Sequence, residues 1–440
     1  MRSSLLGLAV GLALADSSVV TLALPEILRE LDVGVTTVAW VLTSFNLVLA
    51  VVALPAAFVA RRRPRTAFVA GTVVFAGASL ACGLVPSFEG LVAARCVQAL
   101  GAALIVTAAL GLLAETAGSE SRALRLWVAA GVLGAAVGPA AGGILTEVLG
   151  WQSIFLAQVP LALVTLLAVR GLDPRPLRTR AGRPRVRANA ALLLLSGGLV
   201  AALFLLVLLL VEGWGMSPAE AGLVVTVMPL AAIAAAVFGS RFFRDASIRA
   251  ACGVVLVSGG LAALAFLPRA GWAWTIAPQL LVGAGVGLAL AALAERALAG
   301  RPDAIVHGGW TIASRHAGVV LGLLLLAPVL TDALDRNREL AVRAGTAVVL
   351  DSRIPALDKL GVAQDVLDEV DAAEQRGELP RVSAVFEGRD GDDDFRSLAA
   401  ALQDQLDRAV TDAFSTPFLL AAALALAALV PVSLGRWESR

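Results

Sequence analysis

Charge is scarce in this chain of 440 residues: Asp, Glu, Lys and Arg make up 16% of it, hydrophobic residues 58%, and the mean hydropathy is +0.84. A soluble domain of that length would need far more charge to cover its surface, so the soluble class is excluded. Histidine occurs twice, as His307 and His316, and cysteine three times, as Cys82, Cys96 and Cys252, each cysteine within an apolar run. So few residues suggest neither a disulfide framework nor a metal cluster, and no metal or cofactor is expected. A Walker sequence, a His-Glu-x-x-His pair and a nucleophile elbow are also missing, which leaves an enzyme without machinery. The glycines of LVGAGVGLAL at 281–290 sit inside an apolar run and read as helix packing, not as a phosphate cradle. No nucleic-acid partner is expected.

What the chain does have is apolar runs near 20 residues long, the length that crosses a hydrocarbon core of about 30 Å at about 1.5 Å per residue. Twelve can be counted, at 5–25, 39–60, 66–86, 90–114, 126–148, 152–171, 189–211, 219–240, 250–268, 273–294, 308–331 and 417–434. The first begins Met1-Arg2 and contains Ala13-Leu14-Ala15, in the manner of a cleaved leader. It reads instead as span 1, because apolar character continues to Pro25 and removal would leave an odd number of spans.

Arginine placement orients the chain. With the N-terminus inside, the inner segments hold Arg2, Arg61, Arg62, Arg63, Arg65, Arg122, Arg125, seven arginines from Arg170 to Arg187, Arg241, Arg244, Arg249, Arg296, Arg301, Arg436 and Arg440. The short outer loops hold only Arg29 and Arg269. The positive-inside rule then puts both termini in the cytoplasm of a multi-pass cell-membrane protein.

Two segments break the pattern. Residues 173–188, DPRPLRTRAGRPRVRA, read as a basic cytoplasmic linker between an N-terminal six-helix bundle, 1–172, and the first five helices of a C-terminal one, 189–331. Residues 332–412 carry 19 acids against 10 basic residues and read as a small, mostly helical extracytoplasmic domain, with residues 413–440 forming span 12 and a tail. Phe395, Leu398, Leu402, Leu406 and Val410 recur there at helical spacing, and Ser415-Thr416-Pro417 is expected to cap and open span 12. Two readings stay open for this segment, a partner outside the membrane or a solvated acidic loop without a task. The fold class expected is therefore an all-α integral membrane protein, twelve spans in two six-helix bundles with an appended helical domain.

The stretch GVLGAAVGPAAGG at 131–143 in span 5 is a poor recipe for an ordinary helix. Gly131, Gly134, Gly138 and Gly142 fall at spacings of three, four and four, so they line one face as overlapping small-xxx-small patterns that let a neighbouring helix approach closely. Pro139 removes a backbone hydrogen bond in mid-membrane. From physics alone a tightly packed, motionless helix remains an alternative.

With Gly143, these residues resemble the antiporter signature of the drug:proton antiporters in the major facilitator superfamily, Gly-x-x-x-Gly-Pro-x-x-Gly-Gly. DSSVVTLALP at 16–25 looks like that group's span 1 pattern, and LVAARCVQALGAA at 91–103 looks like its span 4 motif, with Arg95, Gln98 and Gly101 in place. WQSIFLAQVP at 151–160, GMSPAEAGL at 215–223 and SRHAGVVLG at 314–322 are similar too. The resemblance covers nearly all the membrane part and leaves out 332–412. One departure stands out: ALPAAFVARRRPR places Arg61 where the loop between spans 2 and 3 of that family carries an acid of its cytoplasmic gate.

The resemblance implies a proton-coupled secondary exporter of small hydrophobic or amphipathic molecules, embedded in the lipid bilayer, working by alternating access and expected as a monomer. Two other readings stay open: an exporter of lipids or lipid conjugates, and a non-transporting receptor or scaffold that kept the fold. Asp16 is the one clear mid-span acid of the first half and hence the expected proton carrier, with Arg95 as its partner; a permanent structural ion pair is the alternative. Trp40, Thr43, Phe45 and Asn46 are candidates for a substrate cavity, and Arg61, Arg315 and His316 for a gate. Glu147 and Glu212, near outer helix ends, read as solvated carboxylates.

Overall fold

The computed structural model describes residues 1–172, 182–243, 245–298, 300–301, 303–376, 385–386 and 393–433. Most of the expected linker, 173–181, and the tail from 434 onward, with Arg436 and Arg440, lie outside the described residues, as does Arg244. The described chain is helical: α1 Arg2–Thr21, α2 Leu24–Glu30, α3 Val35–Arg62, α4 Pro64–Leu84, α5 Phe88–Thr116, α6 Glu120–Leu149, α7 Gln152–Val164, α8 Val186–Leu208, α9 Pro218–Val225, α10 Val227–Phe242, α11 Ala246–Leu264, α12 Trp272–Leu298, α13 Ala304–Asp351, α14 Ala356–Arg376, α15 Asp393–Ala413, α16 Ser415–Leu426 and α17 Leu429–Ser433. Among the described residues, twelve helical stretches are long and apolar enough to cross a membrane, as the hydropathy pattern predicts.

Helix ends follow ordinary capping chemistry. Ser87, Ser119 and Asp303 accept backbone amides as N-caps of α5, α6 and α13, and Ser217 with Glu220 forms a capping box behind Pro218 at the start of α9. Asp245 caps α11, and the amides of Ser247 and Ile248 that it accepts hold its carboxyl below the usual carboxylate range. Gly150, at φ +80°, ends α6 in a conformation that side chains rarely adopt.

The packing repeats itself. In the first half α1 pairs with α6, α4 with α5, α3 with α5 and α4 with α7; six spans later α8 pairs with α13, α11 with α12, α10 with α12 and α11 with α16. The crossing devices repeat as well. Gly101 meets the backbone of Gly71 and Phe75, and Gly285 meets that of Gly253 and Val257; Gly134 meets Gly11, and Gly322 meets Gly197. Contacts between the halves run along α3 with α13 and α6 with α9.

Two details differ from expectation. The helix of span 11 does not stop near 331 but continues as α13 to Asp351, because the residues that follow are polar yet good helix formers. Ser415 does not cap span 12: Phe414 holds the N-cap position, and the Ser415 hydroxyl donates instead to the carbonyl of Ala265 at 2.7 Å. Within 332–412, Val349, Ile354, Val362, Phe386, Leu398 and Leu402 form a small apolar cluster, while Val410 joins the main core. The Trp214 indole donates to Thr411 at 3.1 Å, tying α15 to the second half.

Candidate functional site

Asp16 on α1 is fully buried inside the first half, and Arg95 of α5 reaches it with a 2.5 Å bond from Nη1 to Oδ2. A carboxylate there is tolerated because Arg95, Gln98 and Gln158 all donate to it. Its Oδ1 accepts from Gln158 at 3.0 Å and from Gln98 at 3.4 Å. Gln98 also bonds Ser79 and Gln158, both at 2.8 Å. Arg95 donates through Nε to the Val41 carbonyl at 3.1 Å, and its guanidinium lies 4.3 Å from the centre of the Phe45 ring. Five helices thus converge on one charge pair. The structural repeat shows that the pair is not a requirement of this architecture. Asp16 lies five residues after Gly11 and Arg95 six before Gly101; the corresponding positions from Gly197 and Gly285 are Ala202 and Gln279.

The glycine face of α6 lies on α1. A side chain at Gly131 would meet Leu14, at Gly134 the backbone of Gly11, at Gly138 the side chains of Ser18 and Val19, and at Gly142 the carbonyl of Val19 at 2.5 Å. Gly143 faces a different neighbour, the backbone of Pro218 and Ala219 on α9 in the other half, and the Pro139 carbonyl lies 2.6 Å from where a side chain at Gly222 would begin. One motif therefore serves both packing within a half and contact between halves.

Between the halves lies a central cavity of about 170 Å³, lined by Ser17, Ser18, Asn46, Trp127, Pro139, Leu192, Met228, Thr311, Arg315 and His316 among others. It shares Val128, Val132, Ala232, Val286 and Leu290 with a larger one of about 890 Å³ that opens at the arginine-rich end, among Arg61, Glu115, Arg125, Arg249, Glu295 and Arg301. Leu133 of α6 and Val237 of α10 are exposed on the walls of this opening.

Two contacts shut the opposite end. Arg29 pairs with Glu212 at 3.4 Å, and Glu147 accepts the Ala219 amide at 2.9 Å. Glu147 and Glu212 are therefore engaged across the halves, not idly solvated. At the arginine-rich end Arg61 pairs with the buried carboxylate of Asp303 at 3.1 Å, joining α3 to the start of α13. Asp303 does not stand out in the sequence, because a carboxylate beside Arg301 in a short loop looks solvated.

Of the four cavity candidates on α3, Asn46 alone lines the central cavity. Thr43 is buried and donates to the Ala39 carbonyl at 2.8 Å, Phe45 covers Arg95, and Trp40 is exposed. Successive helical residues turn by about 100°, so this quartet is spread around most of the helix and cannot share a face. Arg315 and His316 lie in the centre and not at the end where Arg61 sits. The His316 ring bonds Asn46 through Nδ1 at 2.6 Å, and Asn46 donates to Ser17 at 3.3 Å, next in sequence to Asp16. Neither Asp16 nor Arg95 lines either cavity. Among the described residues no group of three or more metal-ligating side chains occurs.

The sequence matches the family model described as Major Facilitator Superfamily over residues 6–299. It is 36% identical over 172 residues to the drug efflux pump JefA of Mycobacterium tuberculosis, an alignment covering 38% of this chain and 34% of that one. It is 34% identical over 221 residues to the tetracenomycin C resistance and export protein of Streptomyces glaucescens, covering 48% of this chain and 40% of that one. The alignments thus span between about a third and two fifths of these curated relatives. The fold matches a crystal structure of a bacterial homolog to the human lysosomal transporter Spinster, at a TM-score of 0.65 and 15% identity, over 100% of this chain and 98% of that one.

Proposed function

This chain belongs to the major facilitator superfamily, a family of membrane transporters and not of enzymes, and from that premise we propose that it is a proton-coupled exporter of small hydrophobic or amphipathic molecules. The observation that carries this reading is the cavity between the halves, apolar in most of its lining, open at one end and shut at the other. Alternating access requires such a cavity and a second set of contacts that closes the open end in turn. In the proposed orientation the open end is cytoplasmic, so cargo loads from inside, and residues 332–412 stand outside the cell. The drug efflux and export relatives support the direction.

Asp16 is proposed as the proton carrier and Arg95 as the cation that competes with the proton for it. Supporting this, the second half builds the same crossings without a charge pair, so packing alone does not explain one. The other reading, a permanent structural pair, is favoured by the closed shell of donors around the carboxylate and its distance from both cavities. The receptor reading, which rested on the missing gate acid, loses its main support because Asp303 supplies a carboxylate to Arg61 from the other half.

The test is accumulation of a panel of fluorescent amphipathic dyes in proteoliposomes with an imposed pH gradient, for wild type and Asp16→Asn, beside thermal melting of both. Lost gradient-driven transport with normal melting supports proton exchange at Asp16. Poor folding, rescued by Asp16→Asn with Arg95→Gln, supports the structural pair. Full pH-driven transport by Asp16→Asn would sink both roles. Movement of a labelled lipid but of no dye points to the lipid exporter, and movement of nothing by wild type overturns the exporter reading.

A further inference from the structure

Arg315 projects from α13 into the central cavity, and among the described residues it is the one charged side chain lining that space. Its Nε is buried without a hydrogen-bond partner, and no ion pair to Arg315 occurs among the described residues. Other buried or half-buried arginines at the functional sites are answered, Arg95 by Asp16, Arg61 by Asp303 and Arg249 by Glu295, and Arg301, whose Nε also lacks a partner, lies at the larger opening and not at the centre. A cation withdrawn from water without a counter-charge is unfavourable, and Arg315 is left so in the middle of the central cavity.

The neighbouring groups do not answer it. Asn46 is engaged with His316 and Ser17, and the Trp127 indole donates to the Val106 carbonyl at 3.0 Å. Asn46 Oδ1 accepts from His316 Nδ1 in the tautomer this contact implies, leaving Nε2 without a partner beside the arginine. The remaining wall is mostly apolar, with Leu192, Leu203, Met228 and Val319 beside the neutral hydroxyls of Ser17, Ser18, Ser196 and Thr311, none of which brings a counter-charge.

We infer that the counter-charge is brought by the cargo: resting on the exporter reading, the transported molecule is an amphiphile with one anionic group, a carboxylate or a phosphate monoester, docked on Arg315 with its apolar part against the cavity wall. A guanidinium offers such groups paired donors in a plane, and the low-polarity surroundings strengthen the bond. Cationic amphiphiles meet the same arginine as a repulsion. The larger opening does not share this bias, since it mixes Glu115, Glu120 and Glu295 with its arginines, so the choice of charge is made at the centre.

The test is equilibrium binding to the full-length protein in detergent, with 11-(dansylamino)undecanoate, its methyl ester, and a fluorescent lysophosphatidic acid as probes. Wild type should bind the free acid roughly 10- to 100-fold more tightly than the ester, the range expected for a charge-assisted bond. Arg315→Gln should remove that preference by weakening the acid and not the ester, with melting no lower than wild type because an unpaired cation has gone. Thr311→Glu, one turn away on the same cavity wall, keeps Arg315 and supplies an internal carboxylate; it should remove the preference as well. Equal binding of acid and ester by wild type, with the lysophosphatidic acid bound no more tightly than the ester, overturns the inference, as does a preference that survives both substitutions. A lysophosphatidic acid preference without a fatty-acid one identifies the source as a lipid headgroup, and the reverse a free carboxylate. The exporter reading fails separately, if wild-type proteoliposomes move no probe while these binding preferences hold.

Discussion

The glycine face of α6 allows a graded perturbation in which two opposing effects can be weighed position by position. Replacing glycine by alanine inside a helix gains about 1 kcal/mol of helix propensity, while overfilling a packed contact costs about 1–3 kcal/mol. What decides the sign is whether the neighbour can yield. At Gly131 the new methyl would meet a terminal carbon of Leu14 at 2.9 Å, and that flexible side chain can turn aside. At Gly138 it would meet the Ser18 hydroxyl, which is held by the Ala15 carbonyl at 2.8 Å and yields less readily. At Gly134 and Gly142 it would meet main-chain atoms of Gly11 and Val19, which move only if α1 moves. The net change should run from about zero for Gly131→Ala, through a small loss for Gly138→Ala, to a destabilisation of about 1–2 kcal/mol for Gly134→Ala and Gly142→Ala. Gly138→Leu, with more atoms to place, should lose transport sharply even where the protein inserts. Melting of each purified variant, read beside dye transport, gives the order. If Gly134→Ala and Gly142→Ala melt and transport as wild type while Gly131→Ala fails, close approach of α1 is not what these glycines provide.

If the Arg61–Asp303 pair acts as a gate, reversing both charges, Arg61→Asp with Asp303→Arg, should recover part of the transport lost in Arg61→Asp alone; equal loss in single and double variants would mean the pair does not act as a gate. Orientation is testable with impermeant thiol reagents on sealed, right-side-out vesicles, in a background lacking the native cysteines. A cysteine in place of Gly361 should be labelled and one in place of Gly182 should not, and the opposite pattern would reverse the proposed sidedness.

Charge inside apolar runs is rare enough to be conspicuous, which singles out Asp16 and Arg95 in the sequence; pairing them drew on the family resemblance, which sets spans 1 and 4 side by side. The amides around them, Gln98 and Gln158, are neutral and blend into any helix, and Gln158 became visible as a ligand of Asp16 only in three dimensions. Asp303 was hidden for another reason: its partner lies on the other half, and no local pattern encodes contacts across that interface. Span positions were legible because the bilayer sets the length of an apolar run. The prolongation of α13 was not, since hydropathy reports where lipid ends and says little about where a helix does.

The apolar walls of the larger opening, where Leu133 of α6 and Val237 of α10 are exposed, bear on what concentration means for the proposed exporter. A cargo of the proposed kind that reached those walls through the bilayer would be drawn from the adjoining leaflet and not from bulk water. Each methylene on its tail enriches it in that leaflet about fourfold, at about 0.8 kcal/mol per group. An apparent affinity referred to the aqueous phase therefore improves with tail length even when the binding pocket is indifferent to it, and it shifts with the amount of lipid in the assay. Ranking of cargo by the protein itself emerges only once partition coefficients have been divided out.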